Sequence, residues 1–126
     1  IVQYRWNAAV TSLISEGAYV NFTTEGFGEQ SNVKMQWNAG YLYVGLTNPN
    51  RIYKLSANST GASFQSLFFD EPLSGWNLQS FAFFPNSTTK IAVTGWAGWY
   101  QGYLLQYDSS IVSWSTLAVS NYTTGH

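Results

Sequence analysis

The sequence predicts an all-β protein of short antiparallel strands, grouped in four-stranded, blade-like units about 51 residues apart. Three observations lead there. Runs such as Tyr41–Thr47 and Lys90–Gly95 combine period-two alternation with β-branched and aromatic residues, the signature of strands with a buried face. Clusters of Gly, Pro, Asn, Asp and Ser interrupt those runs at short intervals. A strand–turn–strand motif then returns along the chain.

Strands are expected near 1–6, 9–14, 18–23, 33–37, 41–47, 51–56, 63–69, 78–84, 90–95, 101–107 and 111–119. Turns fall at Asn7-Ala8, Asn38-Ala39-Gly40, Asn48-Pro49-Asn50, Asn58-Ser59-Thr60-Gly61, Pro85-Asn86-Ser87 and Asp108-Ser109-Ser110. Each carries residues that tolerate positive φ, fix φ, or fold a side chain back onto the backbone. Helical spacing occurs only around Ala8–Glu16, where Val10, Thr11 and Ile14 weaken it.

The repeat is read from strand pairs. Ile1–Tyr4 precedes Val10–Ile14, Arg51–Leu55 precedes Phe64–Phe68, and Leu104–Tyr107 precedes Val112–Leu117. Tyr4, Leu55 and Tyr107 take equivalent places, 51 and 52 residues apart. A further strand pair precedes the second and third copies, at Val33–Trp37 with Tyr41–Thr47 and at Leu78–Phe84 with Lys90–Gly95. The 126 residues form one all-β domain, with 1–15 as a half unit and 33–69 and 78–119 as repeat units.

Composition excludes several functions. The chain holds 6 Trp, 9 Tyr and 8 Phe but only 5 Lys and Arg and 6 Asp and Glu. Aromatic rings in that number build a core and argue against disorder. No cysteine is present, and the single histidine is His126, so thiol chemistry, a Ser-His-Asp triad and a His-rich metal site are not expected. A net charge of −1 leaves no basic footprint for nucleic acid. No apolar run approaches the ~20 residues of a membrane-spanning helix. No Asp-x-Asp cluster marks a calcium site, and no cofactor is expected. The start at Ile1 is read as the mark of a processed product or a fragment.

Four sequons stand at Asn21, Asn58, Asn86 and Asn121. With scarce charge and abundant Ser, Thr, Asn and Tyr, they point to an N-glycosylated extracellular or cell-surface protein. Catalysis would fall to the carboxylates Glu16, Glu25, Glu29, Asp70, Glu71 and Asp108. None forms a marked pair of the kind glycoside hydrolysis needs, so the chain is read as a non-enzyme.

Two sets of residues could carry binding instead. Trp76, Asn77, Trp96, Trp99, Tyr100 and Gln101 lie among glycines. There, flat rings could stack on a sugar while the amides bond its hydroxyls. The strand Ile1, Val2, Gln3, Tyr4, Arg5 and Trp6 contains no Gly or Pro. It could complete a neighbour's sheet through main-chain hydrogen bonds.

The four-stranded unit resembles the blade of a β-propeller, with Tyr41–Gly45 and Arg51–Leu55 similar to its second and third strands. Within that class, Ile1-Val2-Gln3-Tyr4-Arg5-Trp6-Asn7 and Gly98-Trp99-Tyr100-Gln101-Gly102 resemble segments of the fungal and bacterial fucose-binding lectins. The sugar-clamping arginine of that family has no counterpart in Lys90–Val93 or Tyr41–Val44, and its glutamate has none in Leu104–Tyr107. Fucose binding is therefore not carried over. Two and a half blades do not close a ring, which implies a piece of a longer propeller or several chains completing one another. The alternative is a β-sandwich filament subunit, similar to archaeal surface threads and bacterial pili, with Ile1–Trp6 as the donated strand. The expected function is structural or adhesive, through a homo-oligomer or larger assembly. A glycan-binding lectin using the Trp/Tyr cluster is the alternative.

Overall fold

A computed structural model describes residues 2–6, 8–9, 12–18, 27, 33–47, 49–58, 61–71, 75–98 and 101–121. Ten strands and no helix occur among them: β1 (Val2–Trp6), β2 (Leu13–Ala18), β3 (Lys34–Asn38), β4 (Tyr41–Thr47), β5 (Asn50–Asn58), β6 (Gly61–Asp70), β7 (Trp76–Phe83), β8 (Lys90–Ala97), β9 (Gln101–Asp108) and β10 (Ser113–Asn121). The strands β1 and β2 form a hairpin, β3-β4-β5-β6 a first four-stranded sheet, and β7-β8-β9-β10 a second. Every pairing is antiparallel and between sequence neighbours. The all-β architecture of four-stranded, blade-like units is what the alternation and the turn residues predict.

Local chemistry sets the turns. Asn38 pairs with Tyr41, and between them Ala39 and Gly40 both take positive φ, 50° and 81°. That is the two-residue hairpin whose twist matches its strands. Pro85 and Asn86 (φ 58°) occupy the centre of a turn closed by the Ser87 amide donating to the Phe84 carbonyl at 3.1 Å. Proline followed by a left-handed residue is the type II arrangement. At the β9–β10 turn, Asp108 Oδ1 accepts from the Ser110 amide at 3.0 Å and hydroxyl at 2.6 Å. Several boundaries differ from expectation. Where strands are expected near 9–14 and 18–23, the strand Leu13–Ala18 pairs with β1, and residues 10–11 and 19–23 lie outside the described residues. The strand read at 78–84 starts earlier, at Trp76.

The two sheets pack face to face, with β7 against β3, β4 and β5. Their shared core contains Tyr43, Ile52, Phe69, Trp76, Leu78, Ile91, Val93 and Leu105. Fully burying an aliphatic side chain of this kind is worth about 1.5–3 kcal/mol. Rings continue across the seam, where Tyr43 meets Phe83 at 4.6 Å and Phe69 meets Tyr107 at 5.1 Å, while Phe68 of the first sheet packs 4.9 Å from Tyr43. A bulge in β6 turns both Phe68 and Phe69 inwards. Three side chains of the first sheet or its turns reach the backbone of the second. Asn38 Nδ2 donates to the Ser87 carbonyl (2.8 Å), Gln36 Oε1 accepts from the Phe83 amide (3.3 Å), and Asn50 Oδ1 accepts from the Leu78 amide (3.1 Å).

Close approach depends on two glycines. A Cβ at Gly45 would lie 2.8 Å from Leu78 Cδ2, so its absence lets the sheets meet. A Cβ at Gly95 would overlap the Trp76 indole, which lies across that position.

The opposite face of the first sheet carries a second apolar cluster, Leu42, Val44, Leu46 and Leu55. Phe27 covers part of it, 5.0 Å from Tyr53 and 5.2 Å from Phe64. Leu55 thus lies on the face turned away from the second sheet, and Tyr107 on the face of the second turned towards the first. For two units stacked in the same sense, those are the same face. Leu55 and Tyr107 thus point the same way along the stack of sheets.

Candidate functional site

The aromatic cluster picked out among the glycines does not stay together. Trp76 is 0% exposed and belongs to the inter-sheet core, against Phe69 at 5.8 Å. Its buried Nε1 has no hydrogen-bond partner among the described residues. This corrects its reading as a stacking platform, because the indole face already packs over Gly95. Asn77 and Trp96 are register partners on the other face of the second sheet. Beside them lies a shallow depression of about 330 Å³ that includes Thr94, Trp96, Leu104 and Ala118. Gln101 is exposed, and its Oε1 accepts from the Tyr103 hydroxyl at 2.8 Å. Trp99 and Tyr100 lie outside the described residues.

Of the proposed donated strand, Val2–Trp6 forms β1, and Ile1 lies outside the described residues. Asn58 is exposed at the end of β5, Asn86 is exposed at the tip of the type II turn, and Asn121 ends β10. Asn21 lies outside the described residues.

Asp70, Glu71 and Asp108 serve local structure. Asp70 Oδ1 accepts from Arg51 Nε at 2.8 Å. That bond holds the Asp70 carboxyl below the usual carboxylate range, helped by the Glu71 amide, against an opposing effect of burial. Glu71 accepts from Asn50 Nδ2 at 3.3 Å. The Ser110 hydroxyl and amide are the main groups lowering Asp108, which also stands 3.8 Å from Lys90. Glu25 and Glu29 lie outside the described residues.

Two features escaped sequence reasoning. The first is the exposure of β10, the strand expected near 111–119, which is the last of the second sheet and is bonded to β9 along one edge. Residues 111–120 are all exposed, including Ile111, Val112, Trp114, Leu117 and Val119. No charged residue or proline occurs from 109 to 121. Soluble proteins ordinarily guard such an edge with charge, proline or a covering segment. Its one irregularity is a bulge between Thr116 and Ala118.

The second is a cleft of about 810 Å³ between the sheets, lined from both. Tyr41 and Lys54 come from the first sheet, Trp114 from the second, and Thr88 and Thr89 from the β7–β8 turn. Lys54 Nζ lies 3.8 Å from the Tyr41 ring centroid, a cation–π contact. Tyr43 and Tyr107 also line the cleft. Burial is the main cause raising both phenols, with Tyr41 adding to the first and Asp108 to the second, so both remain protonated at neutral pH.

No protein-family model matches the chain, and neither a curated protein nor a solved structure matches it. Among the described residues, no helix is long and apolar enough to cross a membrane.

Proposed function

We propose that this protein is a non-enzymatic, extracellular structural or adhesive component that works by self-association. The observation that carries this reading is β10, an uncharged edge strand with large apolar side chains open to solvent along its length. Unpaired amides and carbonyls on such an edge are a template for another strand, and added main-chain bonds give the affinity. β1 supplies a suitable partner, because its two-stranded sheet leaves one of its edges unpaired within that sheet. Joining β1 of one copy to β10 of the next is the strand donation expected for Ile1–Trp6. It would extend the blade-like units from chain to chain, as a propeller shared between chains or a filament does. The exposed acceptors Asn58 and Asn86 support an extracellular setting.

Native mass measurement with and without deglycosylation tests the proposal. The expected particle is a multiple of the 14.1 kDa chain, reduced to the single chain by Leu117→Lys, which places a charge on the free edge. A wild-type chain that stays a monomer at micromolar concentration would refute self-association.

A further inference from the structure

We propose that the cleft between the two sheets is a binding site for a neutral oligosaccharide. Trp114 of β10 lines the cleft, but the argument does not rest on self-association.

Shape comes first. The sheets are joined along β7, by its contacts with β3, β4 and β5. The cleft instead lies between β4, β5 and β6 on one side and β9 and β10 on the other. Its volume of about 810 Å³ falls within the roughly 300–1,000 Å³ of ordinary small-molecule sites.

The lining chemistry selects the ligand. Tyr41 on the first sheet is 37% exposed and Trp114 on the second is 39% exposed, so each wall contributes an aromatic ring that is not consumed by the core. The C–H face of a sugar ring packs on such surfaces, and its hydroxyls need both donors and acceptors nearby. The hydroxyl-bearing residues Ser66, Thr88, Thr89 and Ser109 line the same space. Tyr43 and Tyr107 are protonated phenols, able to donate and accept. The Lys54 ammonium adds a donor held against Tyr41 and makes no ion pair among the described residues.

Charge disfavours ionic ligands. Asp70 is neutralised by Arg51, and the remaining charges on the lining, Lys54 and Glu71, are of opposite sign. An anionic ligand would meet Glu71, and a cationic one would meet Lys54. A purely apolar ligand would strand the polar groups of the lining without partners. One backbone feature supports a shaped site. Val112, on the lining, holds φ 49°, a left-handed conformation that β-branched residues rarely adopt. Strain of that kind is retained where surrounding structure holds it, often at ligand sites.

The test is calorimetric titration of the full chain with neutral trisaccharides of glucose, mannose, galactose and N-acetylglucosamine. A uronic-acid trisaccharide is titrated in parallel. Saturable binding of at least one neutral sugar is expected, weakened roughly tenfold or more by Trp114→Ala and by Lys54→Gln. Trp96→Ala, on the far side of the second sheet, should leave it unchanged. Leu117→Lys should also bind as wild type, which separates this site from the association edge. Lys54 and Trp114 are not in the buried core, so unchanged melting of their variants is expected, and Lys54→Gln alone decides if Trp114→Ala unfolds. The absence of saturable binding would overturn the proposal. So would preference for the uronic-acid sugar, or loss of binding in Trp96→Ala with Trp114→Ala and Lys54→Gln unaffected.

Discussion

The two four-stranded sheets share one topology but use their faces differently. The first is apolar on both: Tyr43, Ile52 and Phe69 pack against the second sheet, while Leu42, Val44, Leu46 and Leu55 fill a separate cluster behind. The second buries one face through Trp76, Leu78, Ile91, Val93 and Leu105. Its other face carries Ser80, Ala82, Thr94 and Gln106, and its last strand is exposed throughout. A repeated backbone thus supports two positions in a stack, an interior layer and a terminal one. Side-chain chemistry makes the distinction, because hydrogen-bonded strand order is the same in both.

The largest effects should come from breaking the interior layer. Leu55→Ala removes a fully buried side chain and should cost about 2–5 kcal/mol. Leu117→Ala, on the exposed strand, should stay within about 0.5 kcal/mol. Urea unfolding midpoints measure both, and equal losses would remove the distinction between layers.

Next is Gly95→Ala, which forces a methyl group against Trp76 and the Asn77 carbonyl. A cost of about 3 kcal/mol is expected from overpacking a seat that cannot open, read from the same midpoints. Gly45→Ala should cost less, since its nearest neighbours are the ends of the Leu78 and Phe81 side chains.

Relief of strain sharpens the comparison at the terminal layer. Val112→Gly should stabilise by up to about 1 kcal/mol, since glycine tolerates the positive φ that valine resists. Thermal melting should show a higher midpoint.

The smallest effect is electrostatic. Arg51→Ala should cost no more than about 1 kcal/mol at pH 7, because the Arg51–Asp70 pair is solvent-exposed. The folded carboxyl is lowered by Arg51, so its stabilising contribution is full above the unfolded value near about 4. It is lost as pH falls through the still lower folded value. Wild type and variant should therefore converge in stability below about pH 4, as denaturant titrations across pH would record.

Much of the fold is legible in the residues themselves. Tyr41–Thr47 is a strand with the expected bounds, and Asn38-Ala39-Gly40 contains the expected turn. The region before the first sheet was less legible. Leu13-Ile14-Ser15-Glu16-Gly17-Ala18 lacks clean alternation, so its boundary depends on pairing with β1. The place of Trp76 is illegible for a different reason. An indole among glycines reads equally as a platform or a plug, and the choice depends on Gly95, nineteen positions away and on the adjacent strand. The cleft was invisible in spacing because Tyr41, Lys54, Thr88 and Trp114 come from separate elements and meet only through sheet stacking.

The matched orientation of Leu55 and Tyr107 gives the stack an arrow. Leu55 and Tyr107, one on the third strand of each sheet, point in the same direction, so the two ends of the molecule are chemically unlike. Objects with unlike ends that join end to end grow with a polarity, closing into a ring only if the rotation per step returns to its start, and otherwise running on as a fibre. The sense of that arrow is fixed in every chain before any second copy arrives.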